Sequence, residues 1–259
     1  MKSLSRLLNR HIALVTILLI VGLWQICGNL GLLPKFVLPT PLKILEAFVL
    51  RRDLLLHHSK YTILEALLGI TYGVILAWTL ALIMDAFSLL NRALYPLLVI
   101  IQSVPTTALA PLLILWLGYG MTPKIVLIVI TTTFPIVVSI LDGFRHTDKD
   151  LIKLLRLMKA NTWQILWHVK IPNSLTYFYA GLRVSVSYAF IAAVVSEWLG
   201  GFDGLGIYMI MSKKMFEYET MFAIIILISV ISLLAMALVS WSERYFIKWK
   251  FIGDHHEDN

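Results

Sequence analysis

Few residues in this chain are able to do chemistry, and they sit in unusual places. Two charges, Arg183 and Glu197, interrupt the otherwise apolar stretch 175–199. A charge inside an apolar run of membrane length is costly, so it faces a cavity or a partner. These two lie about 21 Å apart along a helix, too far to pair with each other. Arg183 is near one end of its stretch, where it either snorkels or meets an acid at the membrane edge. Glu197 precedes Gly200-Gly201, whose flexibility suits a re-entrant turn or gate. It either holds that turn or contacts a solute. Ser185, Ser187, Tyr188 and Ser196 share the stretch and offer hydroxyls along a path. Tyr188 and Trp198 are able to stack on a planar ring or to anchor at a membrane interface. The pair His57-His58 reads as surface histidines rather than a metal site. No clustered His/Asp/Glu or Ser/His set marks a catalytic centre. The single cysteine, Cys27, excludes an intramolecular disulfide and a cysteine-clustered metal site. There is no Gly-rich Lys loop of the Walker type, so the chain lacks that means of holding ATP.

The elements that must carry these residues follow from composition. Of 259 residues, 59% are hydrophobic and 14% charged. A soluble domain carries about 25% charged residues, so a soluble enzyme, a disordered chain and a disulfide scaffold are all excluded. A span needs roughly 20 apolar residues. Six charge-poor stretches qualify: 12–28, between Glu65 and Asp85, 93–117, between Lys124 and Asp142, 175–199, and between Glu219 and Glu243. The fold class is therefore all-α, a polytopic membrane protein with six transmembrane helices forming one domain over 1–259. The first stretch follows Lys2, Arg6 and Arg10 but no small-x-small cleavage site follows it, so it reads as a retained span rather than a signal peptide. The polar tail 253–259 reads as frayed.

Lys and Arg in the loops set the orientation. With the N-terminus in the cytoplasm, the inner segments 1–10, 85–92, 144–174 and 242–259 hold thirteen cations, and the outer loops 29–60 and 200–220 hold seven. Both termini are expected inside, in a bacterial plasma (inner) membrane. The net charge of +7 is then topology, and no nucleic-acid partner is needed.

Proline organises two spans. Pro96, Pro105 and Pro111 lie in the third, with Gln102, Ser103, Thr106 and Thr107 beside them; Pro135 follows Thr131, Thr132 and Thr133 in the fourth. Such breaks are tolerated where protein or a watery cavity re-satisfies the backbone. The spans line a path, or the breaks serve bundle packing alone. Pro39 and Pro41 predict an extended lead into an amphipathic outer helix over 42–56.

The segment 144–174 is the longest inner piece. Leu151, Leu154, Leu155, Met158, Ile165, Leu166 and Val169 recur at helical spacing, with Lys149, Asp150, Lys153, Arg156 and Lys159 between them. Short helices with one apolar stripe are expected, with a turn or N-cap at Asn161-Thr162. Two readings stay open: a solvated loop under its own bundle, or a docking element presenting Trp163, Trp167 and cations to a partner.

This segment resembles the coupling-helix region of type I ABC importer permeases, whose motif is Glu-Ala-Ala, three residues, Gly, nine residues, Ile-x-Leu-Pro. Val169-Lys170-Ile171-Pro172 matches its end. That register puts Lys153-Leu154-Leu155 at the Glu-Ala-Ala positions and Lys159 at the glycine. Lysine in a left-handed bend costs about 1 kcal/mol more than glycine, so Asn161 is expected to take the bend. The resemblance extends through Pro39-Thr40-Pro41, Pro111 to Gly118, Asp142-Gly143-Phe144-Arg145, Ala180-Gly181-Leu182-Arg183 and Glu197-Trp198-Leu199-Gly200-Gly201 with Gly204-Leu205-Gly206. It is similar to the nitrate/sulfonate/taurine branch, and Ser187-Tyr188 with Tyr208-Met209 is most similar to permeases for thiamine-precursor pyrimidines.

The resemblance implies a permease subunit providing the path for a small polar solute, by alternating access driven by two cytoplasmic ABC ATPase subunits. The solute would be a thiamine-precursor pyrimidine, a sulfonate or a nitrate-like anion. A second permease copy, an extracytoplasmic substrate-binding protein and the lipid bilayer are the other partners. The chain itself is not an enzyme and binds no cofactor; its partners hydrolyse ATP with Mg. Coupling to the ATPases is assigned to Leu151, Leu154, Leu155, Arg156, Met158, Lys159, Trp163, Ile165, Leu166, Val169 and Pro172. The path or gate is assigned to Gln102, Pro105, Thr106, Ser187, Tyr188, Glu197, Gly204 and Gly206. The competing reading is a secondary transporter, or another polytopic protein working without an ATPase.

Overall fold

A computed structural model describes residues 2–31, 34 and 37–247, with only the backbone path given for 2–11, 13 and 14. Lys35, Lys248, Lys250 and the expected frayed tail 253–259 lie outside the described residues. Among the described residues the regular structure is all helical: α1 (Lys2–Asn29), α2 (Pro41–Leu50), α3 (Arg52–Ala86), α4 (Ser88–Ser103), α5 (Thr106–Leu117), α6 (Met121–Arg145), α7 (Lys149–Leu157), α8 (Thr162–Ile165), a π-helical turn (Leu166–Lys170), α9 (Ile171–Gly200), α10 (Leu205–Lys214) and α11 (Tyr218–Phe246). Four continuous helical runs are long and apolar enough to cross a membrane: α3, α6, Thr162–Gly200 and α11. The pair α4 and α5 is a fifth if counted as one span. The remaining expected segment is the apolar part of α1, Val15–Asn29, which is shorter.

Of the three prolines in the third segment, only Pro105 breaks it. Val104 before it is extended (φ −76°, ψ 126°), as the steric demand of the proline ring requires, and the two helices meet at 100°. Pro96 and Pro111 stay inside α4 and α5. The expected amphipathic helix over 42–56 is likewise divided. α2 ends at Leu50, Arg51 leaves helical geometry, and residues 52–56 begin α3.

The chain forms two compact units, Met1–Ser59 with Tyr208–Leu227, and Lys60–Ile207 with Ile228–Asn259. In the first, Ile44 and Ala47 of α2 pack with Ala223 of α11 and with Trp24 and Phe48. The Gln25 side-chain carbonyl accepts from the Leu42 N–H at 3.1 Å, tying α1 to the start of α2.

In the second unit α6 and α9 form the central pair, with α5 packed on both and α4 on α6. Ala77, Ala81 and Met84 of α3 meet Ile136, Val137, Ile140 and Phe144 of α6 in one fully buried cluster. Gly73 lets α3 approach α6 closely, since a Cβ there would press into the Thr132 side chain. A second cluster joins Ala110 and Leu113, Leu127 and Ile128, and Ala189, Ala192 and Ala193. Small residues at such crossings bring helix backbones together, which drives helix association where lipid removes the usual hydrophobic force. Thr131, Thr132 and Thr133 are buried, and each hydroxyl donates to a carbonyl of α6 itself.

Candidate functional site

Two regions of the second unit gather the polar residues, one at each end of α9. At its start lies the segment 144–174. Asp148 caps α7, accepting from the Asp150 N–H at 2.8 Å. Asn161 and Gln164 form a reciprocal capping box on α8, with bonds of 2.7 and 2.8 Å. The N-cap expected at Asn161-Thr162 is therefore present. The bend is taken elsewhere than expected. Lys159, at the position of the family's glycine, adopts the left-handed conformation (φ 61°), whereas Asn161 is extended (φ −79°). The capping box explains this, because a cap residue must be extended for its side chain to reach the N3 N–H.

The apolar stripe divides in two. Leu155, Leu166 and Val169 are half-buried and Ile165 is buried, Leu166 packing into the core of α3 and α6. Leu151, Leu154, Met158, Trp163 and Trp167 are exposed, and Leu157, absent from the sequence assignment, is 82% exposed. Its apolar type was visible, but its side was not. Arg156 and Lys159 are exposed beside them, and Lys153 pairs with Asp150, one turn earlier on the same helix. Pro172 sits in the first turn of α9 inside the continuous run Thr162–Gly200, where its missing N–H removes one backbone bond to the preceding turn, next to the π turn Leu166–Lys170.

The π turn closes the segment, with the Ile171 N–H donating to the Leu166 carbonyl. Lys170 at its end donates to both oxygens of Asp85 at 2.8 Å. Asp85, expected as a solvated end to its span, is thus an ion-pair partner 85 residues away in sequence and only 22% exposed. Asp85, Lys170, Arg156 and Trp163 help to line a hollow of ≈ 550 Å³. Arg183 pairs with Glu243 on α11, one of the two expected outcomes for that charge.

At the end of α9 the chemistry is the opposite. Glu197 is fully buried. One oxygen accepts from the Thr62 hydroxyl at 2.6 Å and the other from the Gly206 N–H at 2.5 Å, in the first turn of α10. Carboxylates are favoured there by the unpaired N–H groups of a helix start. The Thr62 oxygen in turn accepts from the Leu205 N–H at 2.8 Å. Gly204 is left-handed (φ +124°), and a Cβ on it would strike the Glu197 carboxyl. Of the two roles left open for Glu197, this geometry supports holding the turn.

Beside it Glu65 of α3, fully buried, pairs with Lys124 of α6 at 2.6 Å. Lys124 also donates to the Asp203 carbonyl at 3.3 Å, in the same turn. Sequence reasoning missed this pair, because a search for charge-free stretches treats any charge as a boundary. The structure runs α3 through thirteen residues before Glu65. Removing one partner of such a pair costs about 3–5 kcal/mol.

Glu197, Gly204 and Gly206 meet at this turn. Gln102, Pro105 and Thr106 lie at the break between α4 and α5. The Ser187 hydroxyl lies 3.2 Å from the Met236 sulfur on α11, and Tyr188 is exposed.

In the first unit, Arg51 and Glu217 form an ion pair at 2.5 Å. His58, expected on the surface, is buried and stacked on Tyr208 with ring centroids 4.8 Å apart; His57 is exposed as expected. Burial pushes the Tyr208 phenol above its ordinary range, with Arg51 pulling it back.

Comparison with known proteins decides among the readings. Residues 69–248 match the family described as the binding-protein-dependent transport system inner membrane component. The chain belongs to this family. A probable ABC transporter permease protein of Haemophilus influenzae is 36% identical over 91% of this chain and 98% of its own length. The formylaminopyrimidine transport permease protein ThiX of Halalkalibacterium halodurans is 32% identical, over 90% and 93%. The inward-facing methionine ABC transporter MetNI shares the fold, with TM-score 0.65 and 16% identity over 76% of this chain and 96% of that one. The protein is thus the permease subunit of an ABC importer, multi-pass in the inner membrane. The permease works with ATPase subunits and a substrate-binding protein, as its family does. The competing reading without an ATPase falls with family membership.

Proposed function

We propose that the permease carries a small pyrimidine of the thiamine-precursor kind, by alternating access, as a homodimer with both termini in the cytoplasm. The chain is non-catalytic and binds no cofactor; its two ATPase subunits hydrolyse ATP with Mg. Segment 144–174 is the surface those subunits engage. The turn 201–204, held by Glu197, forms the gate at the far end of α9. The motion is a rigid-body swing of helices rather than a local rearrangement.

The observation that carries this reading is the exposed face of α7 and α8. Leu154, Leu157, Met158 and Trp163 are all more than half exposed on capped helices, flanked by cations. A patch of this kind outside a span is the mark of a protein partner. Support for the solute comes from ThiX, whose name specifies a formylaminopyrimidine. A second copy is supported by α4, which buries none of its residues within one chain.

The test is reconstitution in liposomes with the cognate ATPase and binding protein. ATP-dependent uptake of a labelled aminopyrimidine, in preference to alkyl sulfonate or nitrate, is expected. Preference for sulfonate or nitrate overturns the solute assignment, and uptake independent of ATP overturns the mechanism.

A further inference from the structure

The buried pair Glu65–Lys124 is incompletely bonded. Glu65 uses one oxygen for Lys124; its second oxygen, buried, accepts from no donor among the described residues and lies against the Glu197 carboxyl. The Lys124 ammonium, with three donors, makes one short bond to Glu65 and a longer one of 3.3 Å to the Asp203 carbonyl. Thr62 and Glu65 are three apart on α3 and so share one helix face. From that face one reaches the Leu205 N–H and Glu197, and the other reaches Lys124. This face of α3 thus reaches the flanks of the turn 201–204 directly through Thr62, and Asp203 within it through Lys124 of α6.

A pair that served stability alone would be replaceable by apolar residues of similar volume, since buried ion pairs add little over such packing. Incomplete bonding points to a second arrangement in which the spare acceptor and the third donor are used. A buried group with two discrete arrangements is what transmits a conformational change.

We infer that Glu65 and Lys124 are positioning residues for transport: they fix the turn 201–204 in the state seen here and release it in the other state of the cycle. This rests on the reading of that turn as the gate. The pair touches no solute. It sets when the gate moves relative to ATP hydrolysis, so its loss uncouples the two.

The experiment uses the complete reconstituted transporter and reads uptake and ATP hydrolysis together. Glu65→Gln is expected to lower uptake at least 10-fold while solute-stimulated hydrolysis stays within 2-fold. The double variant Glu65→Gln with Lys124→Met, which removes both charges, is expected to melt near the wild type and show the same uncoupling. If the single variant does not fold, the double is judged by the same ratio. Uptake and hydrolysis falling in parallel, or both staying at wild-type level, overturns the inference. Gly204→Ala separates the two ideas. If it transports normally, the gate reading fails and this inference with it. If it blocks uptake while Glu65→Gln stays fully coupled, the gate stands and only the role of the pair is lost.

Discussion

The two ends of α9 solve opposite problems. Between Ile171 and Glu197 the helix covers roughly 40 Å. At its start the apolar residues point outward and the cations are wet; at its end the charges are buried and the glycines admit them. The first region has surplus surface and awaits a partner. The second has surplus charge and finds its partners within the chain: Thr62, Lys124 and the first N–H groups of α10. Substitutions that leave a charge unpaired at the end of α9 should therefore act on folding as well as on transport, and substitutions at its start on association.

The largest expected effect is Lys124→Met alone, which leaves two carboxyls buried without their ammonium. It should cost about 3–5 kcal/mol, read as lost yield and a lowered melting temperature in detergent. Combining it with Glu65→Gln should recover most of that loss. A single variant as stable as wild type would break the contrast at once. Next, Trp163→Ala should weaken ATPase association by roughly 30-fold, the value of a hot spot worth about 2 kcal/mol, with melting unchanged. Binding measured by surface plasmon resonance on nanodiscs checks this, and a drop in melting temperature instead would place Trp163 in the bundle. Gly204→Ala, with φ +124° and the Glu197 carboxyl against the new methyl, should destabilise by about 1–3 kcal/mol. The smallest effect should be Lys159→Gly, which relieves a left-handed lysine and stabilises by about 1 kcal/mol. Slower hydrogen exchange of α7 and α8 is the readout.

The sequence shows the wet region better than the dry one, for a physical reason. Helical spacing, caps and cation placement are local, so the short helices of 144–174 and the Asn161 cap were legible from residues within one turn of each other. The spans were legible from missing charge. By the same logic Glu65 and Lys124 were read as edges, since only tertiary structure reveals a compensating partner 59 residues away. Asp85 and Lys170 escaped in the same way. The Lys159 bend was misassigned because propensity favours Asn, whereas the capping box committed Asn161 to an extended backbone. Three prolines announced a break in the third span without saying which would act. Pro105 does, because Val104 before it takes the extended conformation while Pro96 and Pro111 are absorbed within their helices.

The π turn Leu166–Lys170 sets an angular phase. Its wider loop places one more residue than an α-helix would between the docking helices and α9. One residue is about 100° of helical rotation. That extra residue fixes which way α9 faces the bundle for a given seating of α7 and α8. Deleting it would leave both ends of the helix intact and turn them out of step, like a shaft rekeyed a quarter turn from its gear.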